Sequence, residues 1–168
     1  VDVEIPHFIT SYQVETTEEM AEKVRELTSK QEYDVVVGAA APLDFRVKEA
    51  FSGKLKSEGT YTITLEPSPK VLASIARRPK VLVSFAADVV KDDQELLRSA
   101  TEKASKYGAD LVVANPVNVG SYGFASPYDY TVIVRAGSGS YVNLGLQRKE
   151  VVARRLLDEV VSVLMSKG

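Results

Sequence analysis

A chain of 168 residues, 45% hydrophobic and 26% charged, is long enough for one ordinary globular domain with its own core. Its formal charge of -2 and dispersed basic residues give no general attraction for DNA or RNA, so no nucleic-acid partner is expected. With no cysteine there is no disulfide, thiolate nucleophile or cysteine-ligated zinc; with neither a leader nor an apolar run near the roughly 18 residues of a membrane span, the chain reads as soluble and cytoplasmic.

The opening "VDVEIPHFITSYQVE" predicts a short strand over residues 9–14, with no glycine-rich phosphate turn before it. Thr16, three residues before Glu19, forms a capping box ahead of Met20, Val24 and Leu27 and predicts a helix over 17–30. Residues 33–39 read as a buried strand and 61–65 as an alternating one. Ser68 and Pro69 then open a helix through Val71, Leu72 and Ile75 that Pro79 stops. Residues 80–85 form the next buried strand. Asp92 or Asp93 caps a helix over 94–107, Gly108 ends it, and 111–114 is another strand. Such β-α-β repeats imply right-handed crossovers, a mostly parallel sheet and ligands at the carboxyl ends of its strands. Residues 130–136 and 141–146 flank "GSGS" as an antiparallel hairpin, and 148–166 form an amphipathic terminal helix. The class is α/β, in a single domain without linkers, repeats or low-complexity segments.

Within this frame, "GAAAP" from Gly38 has two readings. Small residues allow tight packing of a helix on the strand, and at a strand end they also let a base or phosphate reach the backbone. Asp44 reads as a turn acid or a site acid. Arg46, Lys48, Lys54 and Lys56 read as a solvated face or as a mobile cationic loop to which Gly53 and Gly59 give flexibility. The single histidine, His7, has no partner at a recognisable spacing and reads as a surface or packing residue. Asp88, Asp92 and Asp93 are explained by the helix they precede. Asn115 either bonds a substrate or begins a turn. The Gly-, Ser- and Tyr-rich segment 120–130 is a loop or a dimer contact and carries no G-x-S-x-G elbow.

The order of "DVVVGAAAPLDFRVKE", "GKLK", "TITLEPSPKVLASIA", "VLVSFAAD", "YGADLVVANPV", "GFAS" and "LQRKEVVARRLLDEV", spread over residues 8–161, resembles phosphopantothenate-cysteine ligase. That ligase is often the C-terminal half of a bifunctional coenzyme A biosynthesis protein. The resemblance implies a Rossmann-like three-layer fold with an antiparallel extension used in dimerisation, so a homodimer is expected. It implies ligation of cysteine to 4'-phosphopantothenate using CTP and magnesium, through an acyl-cytidylate; FMN would belong only to a fused decarboxylase domain. Carried over, Gly38, Ala39 and Ala40 lie at the nucleotide-binding strand end and Asp44 matches the nucleotide-site acid. Lys54, ten residues later, matches the loop lysine that forms the acyl-cytidylate. Pro69, Lys70, Val71 and Leu72 replace a "PDIL"-like helix start, and Phe85 matches the aromatic beside the base. Lys103 falls on the first of two nucleotide-contacting helix lysines. Tyr107 occupies the register of the second, with Lys106 one residue earlier. Asn115 is expected at the substrate, and the resemblance identifies no metal ligand. Ser84, Asp88, "SPK" and "ANPVN" depart from the pattern and leave ATP beside CTP as nucleotide. The family's "GGT" turn and "NRSSG" segment have no counterpart, so the expectation is a fold without its first β-α unit, an N-terminally truncated ligase domain inactive alone. The alternative is a non-catalytic nucleotide-binding or dimerisation module.

Overall fold

A computed structural model describes residues 4–49, 53–57, 59–117 and 126–168. The "GFAS" motif therefore lies mostly outside the described residues. The first element is helix α1, Thr17–Lys30. Thr16 caps it by accepting from the Glu19 amide at 3.1 Å, and the Glu19 carboxylate reaches back to the Glu15 amide at 2.8 Å. The reciprocal bond thus falls one residue earlier than in the standard capping box. The strand expected over residues 9–14 is absent: this stretch belongs to no ladder, and Ile9 and Tyr12 are exposed. Alternating residues alone do not make a strand when no neighbour supplies backbone partners.

Strand β1, Val35–Gly38, runs parallel to β4, Val81–Asp88, which runs parallel to β5, Leu111–Pro116. Strands β6, Tyr128–Arg135, and β7, Tyr141–Arg148, form the expected hairpin. The hairpin is not a separate layer, because β6 pairs antiparallel with β5 and extends the sheet to the order β1-β4-β5-β6-β7. Helix α2, Asp93–Tyr107, is capped by Asp92, which accepts from the Glu95 amide at 2.8 Å, and it ends at Gly108 with φ 63°. This left-handed turn suits glycine because no Cβ opposes it.

Helix α2 covers one sheet face through Leu96, Ala100 and Ala104, which pack with Leu82, Ala86, Val112 and Val132. Helix α3, Lys149–Lys167, covers the other through Val152, Leu156 and Val160, spaced one helical turn apart against Val81, Val83, Leu111, Val113 and Ile133. The fully buried Val, Leu and Ile side chains among these each contribute about 1.5–3 kcal/mol relative to exposure, so the two apolar layers on either side of the sheet hold the three layers together. At the amino ends of the strands, Asp110 accepts from the Leu82 amide at 2.8 Å and pairs with Arg78 and Lys167, tying β5 to β4 and to the end of α3.

Two corrections concern the segment between β1 and β4. The expected strand at 61–65 forms its ladder only at β3, Leu65–Pro67, and its partner is β2, Phe45–Val47, which the sequence did not announce. Arg46 is therefore part of no mobile loop. Its guanidinium pairs with Glu18 and Glu66, each at 2.7 Å, and fastens the small sheet to α1. The helix expected after Pro69 is a single 3-10 turn, Val71–Ser74, with no side-chain cap. Between Pro69 and Pro79 there is too little chain to recover the cost of nucleating an α-helix. Instead the Ala76 amide bonds to Thr28 Oγ1 at 2.9 Å and docks the turn on α1.

Candidate functional site

The carboxyl ends of β1, β4 and β5 open onto a cleft of about 880 Å³, within the usual range of small-molecule sites. This is where an open α/β sheet offers strand ends and unpaired backbone to a ligand. Gly38, Ala39 and Ala40 form its floor beside Phe85, and Asp44, Pro69, Lys70, Val71 and Leu72 form one rim. Lys103 and Lys106 of α2 line it, and Asn115 closes the end of β5. Eleven of the twelve nucleotide-site candidates and Asn115 thus share one cleft. Lys54 does not: it is exposed on the described segment 53–57, outside the lining.

The two readings of the small residues divide by position. A Cβ at Gly38 would come within 2.6 Å of Leu72 Cδ2, so any larger residue makes Leu72 shift, and this glycine serves the packing of the 3-10 turn on β1. Ala39 and Ala40 are exposed beyond it and leave the floor open. Phe85 is half-buried, its ring packed towards the α3 side.

Two of the cleft's lysines, Lys70 and Lys103, are held by acids. Lys70 forms an ion pair with Asp44; the hydrogen bond and charge of each hold Asp44 below the usual carboxylate range and raise Lys70. Lys103 Nζ sits 2.9 and 3.1 Å from the two oxygens of Asp88, which also accepts from Ser99. Burial pushes the Asp88 carboxyl up, but the bonds from Ser99 and Lys103 more than offset it, and the net direction is down. Both acids are therefore ionised at neutral pH. Lys106 Nζ lies 5.5 Å from the centre of the Tyr107 ring, so the two residues at the displaced register form one cation-aromatic unit.

The three acids before α2 have three different places. Asp92 is the cap, and Asp93 accepts from the Tyr130 hydroxyl and the Asn143 amide, clamping α2 to the hairpin. Asp88, the last residue of β4, faces the cleft. Asn115 is buried, and its amide nitrogen donates to the Tyr130 carbonyl at 2.9 Å and to Thr131 Oγ1 at 2.8 Å, so it positions β6. His7 lies on an exposed turn, edge-on to Phe8. Two charged cleft residues escaped the sequence reading altogether, Asp129 at the start of β6 and Lys149 at the start of α3. The signal available was one acid in the apolar run 128–135 and one lysine directly after the hairpin.

Among the described residues no helix is long and apolar enough to cross a membrane, and no group of three or more His, Cys, Asp or Glu converges on a metal position.

Comparison with known proteins matches residues 1–164 to the DNA/pantothenate metabolism flavoprotein C-terminal domain. The coenzyme A biosynthesis bifunctional protein CoaBC of Thermococcus kodakarensis is 36% identical over 163 residues, covering 95% of this chain and 39% of that protein. The chain thus spans about two fifths of the length of such relatives. The crystal structure of a CoaBC C-terminal domain superposes with a TM-score of 0.72 at 25% identity, over 98% of this chain and 73% of that one. A Cab2 variant in complex with phosphopantothenate-cysteine shares the fold, with a TM-score of 0.60 at 17% identity over 90% of this chain and 53% of that one.

Proposed function

The chain belongs to the DNA/pantothenate metabolism flavoprotein C-terminal domain family, and on that premise we propose that its cleft is the nucleotide site of a phosphopantothenate-cysteine ligase of coenzyme A biosynthesis. The observation that carries the reading is the meeting of an open small-residue strand end with Lys70, Lys103 and Lys106 in one cleft. The first step joins two anions: the phosphopantothenate carboxylate attacks the α-phosphate of the nucleotide, giving an acyl-nucleotidate and pyrophosphate. The amine of cysteine then attacks the acyl carbon, and the nucleoside monophosphate leaves. Catalysis of such a step rests on cations and dipoles fixed around the phosphates and on positioning.

In this reading the triphosphate lies among the three lysines and the base reaches Phe85. CTP is the proposed nucleotide, with ATP the competitor. Asp44 and Asp88 are ionised but engaged with lysines, which fits a magnesium ion that arrives on the triphosphate and takes at most one or two carboxylates from the protein. The supply of charge to the phosphates when bound is what that ion would add. Calorimetric titration tests the site: with magnesium present, CTP should bind measurably and ATP more weakly. A folded protein that gives no heat with either nucleotide overturns the reading. Release of pyrophosphate separates a ligase from the module that only binds.

A homodimer belongs to the same proposal. Among the described residues strand β7 is the edge of the sheet and exposes Tyr141 and Leu146, a surface that a second copy can cover by pairing. Light scattering at high protein concentration should give twice the chain mass, and monomer alone would remove this part.

A further inference from the structure

The α3 side of the cleft carries two opposite charges apart from the Lys70 and Lys103 pairs. Asp129, the second residue of β6, lines the cleft, and its Oδ1 is buried without a hydrogen-bond partner among the described residues. Folded proteins rarely leave such an oxygen unmet, so it marks a place where a donor is missing. Burial pushes the Asp129 carboxyl above its ordinary value, against the pull of the Lys149 charge and the Asn115 amide. Lys149 is the first residue of the 19-residue helix α3, and Arg148 before it gives no side-chain cap. The positive end of the helix therefore adds to the Lys149 charge. Asn115, bonded to Tyr130 and Thr131, fixes the strand that carries Asp129.

We propose that Asp129 and Lys149 receive the zwitterionic head of the amino-acid substrate, its ammonium group on Asp129 and its carboxylate on Lys149 and the start of α3. The assignment rests on the cleft being the ligase site and adds the place of the second substrate. An ammonium group brings three donors and a full charge to an oxygen that lacks a donor. A phosphate at Asp129 would meet a like charge, so the triphosphate belongs on the lysine side of the same cleft. An amino acid carries cation and anion on one carbon, matching an acid and a base that share one wall.

The test uses backbone and side-chain amide spectra of the folded chain titrated with L-cysteine, cysteamine and 3-mercaptopropionate, each with and without CTP and magnesium. L-cysteine should give saturable shifts at the Asn115 side-chain amide and the Lys149 amide. Asp129→Asn should weaken L-cysteine at least tenfold while leaving 3-mercaptopropionate, which has no amine, unchanged. Lys149→Met, at an exposed position, should weaken L-cysteine similarly and leave cysteamine, which has no carboxylate, unchanged. L-cysteine that shifts nothing near Asp129, or binds both variants as well as the native chain, overturns the proposal. So does CTP that alone perturbs Asp129 and Lys149 and blocks them. CTP shifts confined to the Lys70 and Lys103 side leave the nucleotide reading intact whatever cysteine does. Absence of CTP binding defeats that reading without touching the amino-acid result.

Discussion

Lys54→Gln should slow pyrophosphate release from nucleotide, phosphopantothenate and magnesium by roughly 30- to 1000-fold, with cysteine omitted so that only the first step is read. The estimate follows from removing one electrostatic stabiliser of a developing charge, which costs about 2–4 kcal/mol. The substitution keeps a polar side chain one atom shorter and removes the cation. Nucleotide affinity should change less than fivefold, because Lys54 does not line the cleft in the resting structure. Gly53 and Gly59 flank it at φ 121° and 94°, values that only glycine holds without strain, and neither has a neighbour that a Cβ would meet. If Lys54 meets the phosphates only as the reaction proceeds, the rate falls and the ground-state affinity stays. Normal pyrophosphate release by Lys54→Gln in the complete gene product would show that the cation acts elsewhere or not at all. Loss of affinity equal to the loss of rate would show that Lys54 binds nucleotide before the reaction starts.

What the sequence made readable was what local chemistry decides. Thr16 and Glu19 placed α1 at Thr17–Lys30, and Asp92 and Gly108 placed both ends of α2, because caps are satisfied by residues three or four positions away. The buried strands β4 and β5 were readable because helices cover both of their faces and leave continuous apolar runs. The missed strands depend on a distant partner. Phe45–Val47 is a strand only because Leu65–Pro67 lies opposite, and residues 9–14 are not one because nothing does. The same distinction runs through the cleft. Lys70 and Lys103 were found from their resemblance to family positions, whereas Asp129 and Lys149 reach the cleft through the pairing of β6 with β5 and β7, and no spacing encodes that. Gly38 is the case where both readings had merit. Its contact with Leu72 makes it a packing glycine, and the open surface a ligand could use begins at Ala39.

Lys103→Met should lower nucleotide affinity at least 100-fold, more than the loss of an ordinary surface lysine. The reason is the partner it leaves behind. Lys103 neutralises Asp88 through contacts of 2.9 and 3.1 Å, and both side chains are about 30% exposed. Without the lysine, Asp88 keeps only its bond from Ser99 and presents an unpaired negative charge to the incoming phosphates. A charge-assisted hydrogen bond is worth about 1.5–3 kcal/mol, and a like charge about 4 Å away near a protein surface opposes binding by a comparable amount. Adding Asp88→Asn to Lys103→Met should therefore recover at least tenfold in affinity, because it removes the repulsion without restoring the attraction. Asp88→Asn alone should bind as well as the native chain or better, since it frees Lys103 for the ligand. The four proteins form a double-mutant cycle read by calorimetry, and the coupling between the two positions is the predicted quantity. If Lys103→Met binds nucleotide within threefold of the native chain, Lys103 serves Asp88 and the end of β4, and the phosphates lie elsewhere. If the double variant binds no better than Lys103→Met, Asp88 does not face the phosphates, and the lysine acts by direct contact alone.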